Sequence, residues 1–103
     1  MIIYEVNLDV DSTVAAEYAE WLAGHISEVL AIDGFEGAEW LDVESDAPGR
    51  TCWSVRYRLK DRASLEDYVQ NHAARLRQDG FTRFEGRFIP NRRILSERSS
   101  HAR

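Results

Sequence analysis

The chain has 103 residues, of which 44% are hydrophobic and 30% charged, and its net charge is −5. That length holds one domain and leaves no room for a second core. The negative field repels phosphate backbones and anionic membranes, which removes nucleic acid and bilayers as default partners.

The start, Met1-Ile2-Ile3-Tyr4-Glu5, has no basic segment and too short an apolar stretch for a signal peptide. No run reaches the roughly 18–20 apolar residues of a membrane-crossing helix. Cys52 is the single cysteine, so no intramolecular disulfide can form. A reducing, cytoplasmic location is the expectation.

Residues 2–10 alternate, with Ile2, Tyr4, Val6, Leu8 and Val10 on one side and Ile3, Glu5, Asn7 and Asp9 on the other. That period predicts a half-buried strand. Asp11, Ser12 and Thr13 then offer N-caps. Val14, Tyr18, Trp21, Leu22, Ile26, Val29 and Leu30 recur at helical spacing, predicting an amphipathic helix over 13–31 that stops at Asp33-Gly34.

Residues 35–44 and 51–60 read as strands of a hairpin around the turn Asp46-Ala47-Pro48-Gly49. In the second of them Trp53, Val55, Tyr57 and Leu59 oppose Cys52, Ser54, Arg56, Arg58 and Lys60. A second helix is expected from Ser64, capped with Asp67. Its buried face is Leu65, Tyr68, Val69, His72, Ala73 and Leu76, and Gly80 closes it. Residues 86–95 predict a last strand, which Pro90 assigns to a sheet edge. Ser96 to Arg103 is polar, lacks periodicity and is read as a disordered tail, leaving residues 1–95 as the domain.

The order is strand, helix, strand, strand, helix, strand. Its compact solution is an α+β, ferredoxin-like sandwich: a four-stranded antiparallel sheet with two helices on one face. Strands one and three should be central, with Tyr4, Val6, Leu8, Trp53, Val55 and Tyr57 toward the helices. A domain this small leaves apolar surface uncovered, and association is a common remedy.

Particular residues also carry a resemblance. Met1-Ile2-Ile3-Tyr4-Glu5-Val6, Trp21 followed by His25-Ile26-x-Glu28-Val29-Leu30, His72-Ala73-x-Arg75-Leu76-Arg77 and Phe84-x-Gly86-Arg87-Phe88 resemble a bacterial domain-of-unknown-function family, DUF4286. The likeness covers residues 1–95. It implies a ferredoxin-like fold of the dimeric α/β-barrel kind, with two sheets packed face to face, and it transfers no catalytic role. Many members have a proline after the first histidine. Here that segment has Ser27, so the first helix is expected to run on unbroken.

Three constellations merit weighing. Ile3-Tyr4-Glu5-Val6-Asn7-Leu8 looks like the first-strand hexamer of RNA-recognition modules. Parity rejects it: Tyr4 lies on the core side with Val6 and Leu8, and strand three has Cys52 and Ser54 where stacking aromatics belong. The second is the polar sheet face, where Glu5, Asn7 and Asp9 neighbour Arg56, Arg58 and Lys60. It reads either as a solvated surface or as a dimer face, with Trp40, Ala38, Arg56 and Arg58 as candidate contacts. The resemblance favours the homodimer.

The third is the pair Trp21–His25 and Tyr68–His72, each an aromatic four residues before an imidazole on a buried face. Such histidines are usually satisfied core or rim residues. The alternative is a helix–sheet cleft lined by Trp21, His25, Tyr68 and His72, able to bind a small molecule or move protons. His25, His72 and Cys52 fall on three elements and His101 in the tail, so no metal site is expected. Cys52 lies in a strand, a poor place for a nucleophile. No motif calls for a cofactor.

The expectation is therefore a homodimeric small-molecule-binding or assembly domain without demonstrable catalysis. The alternative is a small barrel enzyme, monooxygenase- or isomerase-like, working in the cleft.

Overall fold

In the computed structural model, which describes residues 1–103, the chain runs β1 (Ile2–Asp11), a 3-10 turn (Ser12–Val14), α1 (Ala15–Leu30), β2 (Phe35–Val43), β3 (Arg50–Leu59), α2 (Arg62–Asn71), α3 (Ala73–Arg83) and β4 (Phe88–Ser96). The strands form one antiparallel sheet in the order β2-β3-β1-β4. The fold is α+β and ferredoxin-like. β1 and β3 are central, and β4, which contains Pro90, is an edge. No helix is long and apolar enough to cross a membrane.

All three helices cover the face of β1 that presents Tyr4 and Leu8. Fifteen buried side chains make the core there, among them Val10, Tyr18, Leu22, Val29, Val55, Leu59 and Leu65. Tyr18 is its hub, with ring centroids 5.0 Å from Phe84, 5.1 Å from Phe88 and 5.5 Å from Trp21. α1 runs unbroken past Ser27.

Asp11 holds the entry to α1. Its carboxylate accepts from the Thr13 amide at 2.9 Å and from Arg87 Nε at 2.9 Å. The hydrogen bonds from Thr13 come first and Arg87 adds to them, drawing the Asp11 carboxyl down to about 2.

Four expectations about the second helix need correction. The second helix is two helices, because His72 leaves the helical region at φ −131°, ψ −36°. Its N-cap is Asp61, whose Oδ1 accepts from the Ser64 amide at 2.8 Å; the proposed Ser64–Asp67 cap does not form. Asp61 precedes the helix in extended backbone, where a capping side chain can turn back onto free amides. Val69 is 51% exposed rather than on the buried face.

Gly80 does not end the helix. It lies inside α3, where a Cβ would come within 2.6 Å of the Trp21 ring, so the glycine makes room for Trp21. Gly34, at φ 96°, does need its conformational freedom, and it also lets Ser64 approach closely.

Candidate functional site

The sheet register divides the candidate residues between two faces. Residues opposite one another in an antiparallel pair point the same way. On the open face, away from the helices, one row across the sheet reads Glu39, Arg56, Glu5, Arg93. Its charges alternate. Glu5 has no exposed side-chain surface, being roofed by Arg56 at 2.9 Å and Arg93 at 2.7 Å, and it also accepts from Asn7. Burial pushes the Glu5 carboxyl up, but the hydrogen bonds from Asn7, Arg93 and Arg56 outweigh it and leave it below the ordinary value.

Arg58 also lies on this face and pairs with Glu39. Trp40 does not. It stands opposite Val55, on the helix side, edge-on to Trp53 at 5.2 Å. The grouping of these four residues is therefore corrected: Arg56 and Arg58 lie on the open face, while Trp40 and Ala38 lie on the helix side. The reason is a bulge at the start of β2, where Phe35 faces Leu59 but Gly37 already faces Arg58. One extra residue reverses parity along the rest of the strand. Leu41, Val43 and, from β4, Ile89 supply the apolar area of the open face.

On the helix side a narrow pocket, partly open to solvent, lies between α1, α3 and the sheet. Eleven of its fifteen lining residues are hydrophobic. Tyr4, Val6, Val55 and Tyr57 form the floor from the two central strands. Trp21 and His25 come from α1, Tyr68 from α2, Arg77 and Gly80 from α3, and Arg92 from β4.

The Trp21–His25 spacing of four gives a stack, with centroids 4.7 Å apart and planes at 19°. Two devices fix Trp21: the space left by Gly80, and a hydrogen bond donated by its Nε1 to Asp79 Oδ2 at 2.9 Å. The same two side chains also border a polar groove on the outer surface between α1 and α3. They form the wall between an apolar interior and a wet exterior.

His72 does not join them. It sits at the break between α2 and α3, 3.6 Å from Asp67 and 3.1 Å from Arg75, and it does not line the pocket. Nor does Tyr68 stack on it; Tyr68 packs instead against Phe35 at 5.2 Å and Tyr4 at 5.7 Å. The helix break explains this. Residues four apart share a face only while the helix is continuous. Trp21, His25 and Tyr68 are thus brought together, and His72 is outside.

The pocket's polar atoms are few. Arg77 donates to the Tyr4 hydroxyl. Nδ1 of His25 and Nε of Arg92 are buried without any hydrogen-bond partner. Burial draws the His25 imidazole below its ordinary value; Glu28 and the Leu76 backbone oppose that, while Arg77 and Arg92 reinforce it. Burial likewise raises the Tyr18, Tyr57 and Tyr68 phenols, so they keep their protons and can donate. No group of three His, Cys, Asp or Glu side chains is arranged to hold a metal ion.

Arg77, Arg92, Tyr4 and Tyr57 join the site without being among the residues to which the sequence points. A signal for Arg92 existed: in the alternation of the last strand it shares parity with Phe88 and Pro90, so it points inward while Arg93 points out.

The description "Domain of unknown function (DUF4286)" matches residues 1–98. The chain belongs to this DUF4286 family. No curated protein matches the sequence.

Among solved structures, this DUF4286 chain is similar to SnoaB, a cofactor-independent oxygenase from Streptomyces nogalater, at TM-score 0.67 and 13% identity, over 96% of this chain and 95% of that one. It is also similar to an antibiotic biosynthesis monooxygenase at TM-score 0.67 and 11% identity, over 94% and 98%. A de novo designed protein, Foldit4, is similar too, at TM-score 0.62 and 15% identity, over 94% and 98%. At such identities the likeness is one of fold. The designed neighbour shows that this fold forms without an inherited activity.

Proposed function

We propose that this DUF4286 domain is a homodimeric small-molecule-binding protein whose ligand occupies the pocket between the helices and the sheet. The observation that carries the reading is the buried, unpartnered Nδ1 of His25 in a mainly apolar pocket. Buried polar atoms are nearly always hydrogen-bonded, and one that is not calls for a partner from outside the chain. A concave, mainly aromatic pocket with a few convergent polar groups is the usual form of such a site.

The test is amide chemical-shift mapping during titration with small planar aromatic compounds. Shifts clustered at Tyr4, His25 and Arg77 are expected. Shifts confined to Asn7, Leu41 and their neighbours, or none at all, overturn the reading.

The dimer is assigned to the open face. Leu41, Val43 and Ile89 are 40%, 44% and 62% exposed there, beside a charge row that is already internally paired. Like-with-like packing of such a face is what a two-fold interface requires. Ile89→Lys is expected to shift the mass seen by light scattering from twice 11.9 kDa toward 11.9 kDa without unfolding the chain. A wild-type chain already at the lower mass at micromolar concentration sinks the dimer. Arg56→Glu is a poorer test, because Arg56 roofs Glu5 and its reversal would also disturb the fold. A reducing cytoplasm suits the lone, half-buried Cys52.

A second reading, catalysis in the same pocket, draws on the same imidazole. A neutral, unpartnered Nδ1 beside the ligand is placed to accept a proton from it. His25→Gln separates the two: binding without turnover of a compound that wild type converts favours the enzyme, and no conversion by wild type favours binding alone.

A further inference from the structure

Resting on the small-molecule reading above, we propose that the pocket selects apolar molecules that carry a carboxylate, and that Arg77 and Arg92 hold that carboxylate. Most arginines of the ordered domain are spoken for. Arg50, Arg56, Arg58, Arg83, Arg87 and Arg93 each form an ion pair with an aspartate or glutamate. Arg77 and Arg92 form none, although both line the pocket.

The lining contains no aspartate or glutamate at all. Two guanidinium groups therefore border one apolar space with no counter-charge from the chain. This is the reverse of the molecule as a whole, whose net charge is −5.

The chain spends no protein contact on Arg92 Nε, which is buried without a partner. An N–H held in an apolar setting is costly unless something accepts from it, and a cation more so. The groups around it suit an oxyanion. Arg77 Nη2 donates to the Tyr4 oxygen, which leaves the Tyr4 proton free to be donated onward. The Tyr57 and Tyr68 phenols stay protonated and add O–H donors.

Guanidinium and phenol donors along one pocket lining suit a planar, singly charged acceptor. The pocket holds no lysine, and its cations are the two planar guanidinium groups. Trp21, Phe81 and Phe88 line the rest and fit a hydrocarbon or aromatic body.

The experiment uses a matched pair of probes on the full chain at neutral pH, 2-naphthoate and its neutral amide, with binding measured by calorimetry. The acid is expected to bind about tenfold or more tighter than the amide, since a charge-assisted hydrogen bond separates them. In Arg92→Met and in Arg77→Met that ratio is expected to fall toward one, with the amide's affinity held.

Equal binding of acid and amide to wild type overturns the charge assignment and leaves the pocket reading standing. Binding of neither overturns both. An acid preference that survives in both variants places the anion elsewhere and also overturns the assignment. The wild-type ratio needs no substitution, so the test stands even if a variant fails to fold.

Discussion

The two faces of this sheet are built by the same four strands but treat charge in opposite ways. On the open face Glu5 is buried beneath Arg56 and Arg93, and Arg58 pairs with Glu39. Every cation in that row meets a carboxylate of the chain. On the helix face Arg77 and Arg92 border an aromatic-lined pocket and meet none. The contrast separates structure from site. Self-paired charge across strands contributes modestly to register and solubility. Unpaired charge beside an apolar pocket costs stability and points to something the chain does not itself provide.

The contrast can be broken most severely from the helix side. Tyr18 is 2% exposed and touches four aromatic rings. Tyr18→Ala is expected to cost about 3–5 kcal/mol by leaving a cavity in that cluster. Ile89→Ala, at a 62% exposed position on the other face, should change monomer stability by no more than about 0.5 kcal/mol. Urea unfolding of the two variants decides it, and comparable losses would erase the distinction between the faces.

Breaking the open face should do less. Glu5→Gln leaves Arg56 and Arg93 without a counter-charge, but they are 46% and 59% exposed, so water screens much of the effect. A loss of about 1–2 kcal/mol is expected at neutral pH. The Glu5 carboxyl lies below its ordinary value of 4.5, so its contribution is present above that pH and lost as pH falls through the folded value. Wild type and Glu5→Gln should therefore converge in acid. A gap that is constant with pH would mean that packing, not charge, holds Glu5.

Element order, sheet topology and the inward side of β1 and β3 were legible in the sequence, because strict alternation leaves a strand only one way to bury its apolar side. The four-residue step from Trp21 to His25 was legible for the same kind of reason. What escaped was whatever depends on a single local irregularity. A bulge near Glu36 reverses the parity of β2 and carries Trp40 to the helix side. A break at His72 sends that imidazole away from Tyr68. Neither irregularity has a proline or a turn pair to announce it. Gly80 misled in the opposite direction: it looked like a helix stop, and its role is to admit a tryptophan from another helix. Arg77 and Arg92 escaped because a lack of ion pairing is a property of the folded chain.

The mildest test concerns His25. Its imidazole stacks on Trp21, as the spacing predicts, but Nδ1 has no hydrogen-bond partner. Burial lowers its proton affinity below the ordinary 6.5, so the unfolded chain binds a proton more readily than the folded one. Stability is then full above about 6.5 and declines as pH falls through that value toward the folded one, with a slope of at most ~1.4 kcal/mol per pH unit. His25→Phe keeps a ring on Trp21 and removes the titration. At neutral pH it should lie within about 1 kcal/mol of wild type, or above it, since an unpartnered nitrogen has been removed. Below 6.5 the wild type should fall away from the variant in urea unfolding. Parallel curves would mean that the imidazole charges freely and that burial does not govern it. A bound carboxylate opposes this lowering. It would offset Arg77 and Arg92, which both disfavour the protonated ring, while Glu28 goes on favouring it. The His25 proton affinity should then rise on adding 2-naphthoate and stay where it is on adding the neutral amide, a difference that an NMR titration reads directly.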